Sequence, residues 1–143
     1  MPRTSNEAIL RYAHAYIDIV KKLKAQDPIL ALKIIYPHKF GAIIISRYLS
    51  DDDMAPMTDA MNAVIIDAYQ KENPPLDKEA AELLMQKLVV QLGSDAEYLD
   101  PQGLQTKEDY KKPCDALVKF FELILEQDKN TAGNALRCFF GQE

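Results

Sequence analysis

Residues 40–54 read FGAIIISRYLSDDDM, a triplet of isoleucines running into a triplet of aspartates. Two readings compete. β-Branched residues favour a strand, which would leave the aspartates in a loop fit to hold a cation. Alternatively, Phe40, Ile44, Ile45, Tyr48 and Leu49 share a helical stripe, and the aspartates open the next helix. The neighbours decide. Met57, Ala60, Met61, Val64, Ile65, Ala68 and Tyr69 recur at helical spacing, and AIIISRY at 42–48 resembles AVIIDAY at 63–69. The pattern predicts two helices, with 42–49 and 57–72 among the most buried segments.

The cation reading fails on ligand spacing. A calcium-binding loop starting at Asp51 would place Ala55 at its fifth position, Pro56 where a sharp turn needs glycine, and Asn62 where a bidentate glutamate belongs. Carboxylates at a helix start, by contrast, meet free backbone amides and the positive end of the dipole. No metal and no cofactor is expected.

Outward from this stretch, helical periodicity dominates. Ile9, Ala13, Tyr16, Ile17, Val20 and Leu23 form one apolar face, and Thr4 with Glu7 fits a capping box. Asp27 and Pro28 stop that helix near Gln26 and start another, which Pro37 ends near Tyr36. Beyond Pro74 and Pro75, Asp77 caps a helix that places Ala81, Leu84, Met85, Leu88 and Leu92 inward and stops at Gly93. Residues 94–112 are expected as the main irregular loop, with a type I turn at Asp100–Gly103. Pro113 is expected near the start of a helix burying Leu117, Phe120, Phe121, Ile124 and Leu125, and a last short helix carries Ala132, Leu136, Phe139 and Phe140. The fold class is all-α, an irregular bundle of six or seven helices in a single domain over 1–143.

Composition narrows the function classes. Hydrophobic residues make up 48% and charged residues 27% of 143 residues, which is ordinary for a globular domain. No run approaches the roughly 20 apolar residues of a membrane span, and the start lacks a secretory signal pattern. A cytoplasmic location is expected. Cys114 and Cys138 are too few for a disulfide framework or a structural zinc site.

Charge is uneven. Residues 1–50 hold eight Lys and Arg against three Asp and Glu, residues 51–110 four against fourteen, and the remainder five of each. In a compact domain these thirds can simply face each other. Left unpaired, they would steer a partner of opposite sign. The expected function is therefore a small protein–protein interaction module of adaptor, inhibitor, chaperone or immunity type, without enzymatic activity, binding another protein of basic character. Asp51, Asp52, Asp53, Asp59, Glu97 and Asp100 are its candidate contacts.

Two alternatives remain. A DNA-binding regulator would use the basic N-terminal helices, with Arg11, Lys21, Lys22 and Lys24 as the basic surface. Nucleic acid is not favoured as a partner of a chain with an isoelectric point near 5.1. An enzyme would rest on carboxylates or on Cys114, whose thiol, placed in a first helical turn, would have a lowered pKa. His14 and His38 offer no partnered metal pair. No glycine-rich phosphate loop or nucleophile motif occurs.

Overall fold

The computed structural model describes residues 4–70, 73–101, 103 and 106–141. Among them are seven α-helices and no strand: α1 Asn6–Gln26, α2 Pro28–Ile35, α3 Pro37–Phe40, α4 Asp51–Gln70, α5 Lys78–Leu92, α6 Lys107–Leu125 and α7 Lys129–Gly141. Two 3-10 segments, Ile45–Arg47 and Gly93–Leu99, lie between them. The all-α expectation holds.

The central element is α1, which packs against α2, α4, α6 and α7. Its apolar stripe is the one the spacing predicts. The first two thirds, including Ile9, Ala13 and Ile17, join the main core with Leu88 of α5, Phe121 and Ile124 of α6 and Leu136 of α7. Its last turns, with Ile19, Val20 and Leu23, enter a second core with Leu30 and Leu32 of α2, Leu49 and Cys114. One helix therefore nucleates both halves of the interior, and the apolar area it removes from water is the main stabilising term.

Several starts and stops match their sequence signals. Asp27 ends α1 and caps α2, its side chain accepting from the Ile29 amide, with Pro28 in the first turn. Asp77 caps α5 through the Ala80 amide at 3.0 Å, and Gly93 leaves that helix at φ 62°, a value that favours glycine.

Other expectations are corrected. The cap of α1 is Ser5, whose Oγ accepts from the Ala8 amide at 3.1 Å, so the Thr4–Glu7 box is one residue out of register. Ser5 also donates to Asp67, while Thr4 is buried. Residues 42–49 form no buried helix. Gly41 at φ 84° turns the chain out of α3 into an extended strap that ends in the 3-10 turn. Ile43 and Ile45 lean on the second core while Ile44 between them is 55% exposed. Ile44 has the extended backbone that β-branched residues favour, and Ile45 opens the 3-10 turn, so the triplet is split between two conformations.

Helix α4 is also less buried than its stripe implies. Ala60 and Val64 are buried, but Ile65, Ile66 and Tyr69 are exposed; residues 71 and 72 of the predicted segment lie outside the described residues. Residues 94–112 are more ordered than a loop. The 3-10 segment fills the first part, and α6 begins at Lys107 behind a full capping box between Thr106 and Asp109. Pro113 thus sits inside α6, and Gln102 of the expected turn lies outside the described residues.

Helices α1 and α7 approach closely at Gly133. A Cβ added to Gly133 would lie 2.5 Å from both Cβ and Cγ of Asn6, atoms too close to their backbone to swing away. Gly133→Ala is expected to destabilise the fold by about 1–3 kcal/mol through overpacking, read as a lower denaturant midpoint with an unchanged slope.

Candidate functional site

The predicted acidic contacts separate into two groups. Asp51, Asp52 and Asp53 occupy the first turn of α4, and Asp59 follows one to two turns later. Glu97 and Asp100 lie in and after the second 3-10 segment, which packs against α5 and α6. Substantial packing of α4 is with α1 alone, so the two groups form no common patch.

Within the first group the three aspartates differ. Ser50 Oγ accepts from the Asp53 amide at 3.1 Å, and Asp53 Oδ2 accepts from the Ser50 amide at 3.2 Å, a reciprocal cap. The other oxygen of Asp53 accepts from Lys22 Nζ at 3.1 Å. Lys22 and the Ser50 hydrogen bonds hold the Asp53 carboxyl below its ordinary range. Asp53 is therefore part of the scaffold. Asp51, Asp52 and Asp59 remain exposed. In the second group Asp100 pairs with Lys39 at 2.7 Å.

The predicted basic surface is largely neutralised in place. Lys21 pairs with Glu122 at 3.2 Å, Lys22 with Asp53, and Lys24 with Asp115, while Arg11 is exposed. Each pair lies near the surface and adds little stability. Together they cancel the local field that a phosphate backbone would seek.

The outward face of α4 is what emerges instead. Over its twenty residues there are five aspartates and no Lys or Arg. Helical phase puts Asp51, Ala55, Asn62, Ile66 and Tyr69 on the side opposite buried Ala60 and Val64. Asp52 and Asp59 flank one edge. The face is acidic at the amino end and apolar at the other, where Ile65 and Ile66 are each 49% and Tyr69 is 87% exposed.

Cys114 does not stand at a helix start. It lies in the eighth position of α6, fully buried, with Sγ 3.6 Å from the Pro28 carbonyl oxygen. Burial, and then the Asp115 charge, push its thiol up to about 12. The expectation of a lowered pKa is thereby corrected, because the extra turns of α6 before Pro113 carry the thiol away from the dipole's positive end. His14 and His38 are exposed. Among the described residues no group of three or more His, Cys, Asp or Glu is placed to hold a metal, and no helix is long and apolar enough to cross a membrane.

Two features left no motif in the sequence. One is a cavity of about 910 Å³ bounded by α1, α2, α5, α6 and α7, with Tyr16, Tyr36, Met85, Leu117, Phe120 and Phe139 in its wall. The other is Arg137, only 2% exposed, which donates to the Pro74 carbonyl oxygen at 2.6 Å and to Asn6 Oδ1 at 3.3 Å. Asn134 beside it exchanges two hydrogen bonds with the Asp77 backbone, at 2.9 and 2.8 Å. These side chains fasten the proline segment before α5 onto α7. A helical stripe cannot foretell either, since both depend on which helices meet.

Two measurements check this assignment. Cys114 is expected to resist alkylation at neutral pH in the native protein and to react once urea unfolds it. Asp53 has a lowered pKa in the folded state, so its contribution is present above the ordinary carboxylate value, about 3.9, and is lost as pH falls through the lowered one. Asp53→Asn should lower Tm at neutral pH and make Tm fall less steeply in acid, followed by circular dichroism.

Compared with known proteins, the chain matches no family model, no curated protein and no solved structure.

Proposed function

We propose that this chain is a protein-interaction module whose docking surface is the outward face of α4. The partner segment it suits is a cationic amphipathic helix, with basic residues set against Asp51, Asp52 and Asp59 and apolar residues against Ile65, Ile66 and Tyr69. The observation that carries this reading is the exposed coincidence of acids and large apolar side chains on one helix whose substantial packing, among the described residues, is with α1. Charges of one sign steer encounter and set orientation, while a buried aromatic and its aliphatic neighbours supply most of the affinity. The position of the tyrosine at the apolar end suits it to be such an anchor.

The nucleic-acid alternative loses support from the ion pairs of Lys21, Lys22 and Lys24, and the cysteine-enzyme alternative from the buried Cys114. Neither gains a specific observation.

A synthetic Lys/Leu amphipathic helix serves as the probe, with capture from the native cell as the parallel measurement. Ile66→Asp with Tyr69→Asp should abolish binding in both, and Asp51→Asn, Asp52→Asn and Asp59→Asn together should slow association and flatten its dependence on salt. Both variants should keep native circular dichroism. Undiminished capture and an unchanged salt slope would overturn the proposal.

A further inference from the structure

The cavity bounded by α1, α2, α5, α6 and α7 is within the size range of small-molecule sites, which are apolar concavities with a few fixed polar groups. Its wall is unusually aromatic, with Tyr16, Tyr36, Phe120 and Phe139 all contributing. Three charged residues are in its lining: Lys78 and Glu82, of opposite sign, are exposed, and the buried Arg137 already donates to the Pro74 carbonyl oxygen and to Asn6 Oδ1, so the wall is not built around a charged guest.

The polar groups inside are not equivalent. The Tyr36 hydroxyl donates to the Leu99 carbonyl oxygen at 2.6 Å and has its partner. Tyr16 differs. Its ring is fixed edge-on against Phe121 and Phe140, with centroids 5.7 and 5.5 Å away, and stacked on Tyr12 at 6.4 Å. Among the described residues no hydrogen bond reaches its hydroxyl. Burial raises the pKa of this phenol, and the phenols of Tyr12 and Tyr36 raise it further. It is therefore neutral at physiological pH and able to donate.

Solvent can satisfy this hydroxyl while the cavity is open and unfilled. A guest that displaces solvent must either replace the bond or strand a buried polar group. Plain hydrocarbons are thus selected against. Flat aromatic walls favour a flat guest, since rings pack offset or edge-to-face at short range.

We propose that this cavity binds a planar aromatic small molecule carrying one hydrogen-bond-accepting oxygen, with Tyr16 donating to that oxygen and Tyr36, Phe120 and Phe139 enclosing the rings. The site is independent of the α4 face, so variants of α4 leave it intact.

The test compares 2-naphthol with naphthalene, which differ by a single oxygen, titrated into the full chain and followed by the methyl resonances of Leu117 and Met85. The expected result is that 2-naphthol binds about tenfold more tightly than naphthalene, roughly the worth of one hydrogen bond. Tyr16→Phe should erase that advantage, chiefly by tightening naphthalene binding, because no hydroxyl is then left stranded. Filling the space with Met85→Trp should abolish both. Cavity resonances that fail to move with either compound up to its solubility, or a 2-naphthol preference that survives Tyr16→Phe, would overturn the proposal.

Discussion

The seating of α1 among four other helices is the constraint from which the rest of the structure follows. Its apolar stripe passes through both cores, and α2, α4, α6 and α7 are each placed by their contact with it. At its amino end α7 comes so near that Gly133 has no room for a side chain beside Asn6. Close approach of this kind adds dispersion contacts between two helices, and the rings of Tyr12, Tyr16, Phe121 and Phe140 interlock between α1, α6 and α7.

Electrostatics follows from that seating. The basic residues at the end of α1 lie beside α4 and α6, and Lys21, Lys22 and Lys24 find Glu122, Asp53 and Asp115 there. Part of the polarity visible along the chain is therefore consumed between neighbouring helices. An acidic remainder lies on α4, where Asp51, Asp52 and Asp59 face outward because the opposite side of that helix reaches α1. Asp53, one residue from Asp52, has a different role solely because its direction on the helix brings it to Lys22 and to the Ser50 amide.

The same geometry separates the two proposed surfaces. Among the described residues helix α4 has substantial packing only on α1, while the open cavity is lined from α2, α5, α6 and α7, with Tyr16 of α1 contributing to its wall. A protein contact on one and a small guest in the other would share no side chain.

Sequence alone determined the helical class, the apolar stripes of α1, α5 and α6, and the boundaries at Asp27, Pro37, Asp77 and Gly93. Those features arise from interactions within about one helical turn, namely periodicity, caps and the geometry of proline and glycine. Tertiary structure decided that the isoleucine triplet runs from an extended strap into a 3-10 turn that starts at Ile45, that Ile65, Ile66 and Tyr69 stay outside, that Cys114 is sealed in, and that Tyr16 borders a cavity. A stripe of apolar residues states which side of a helix can be buried. Whether a neighbour arrives to bury it depends on contacts between residues distant in the chain, and no local pattern contains them.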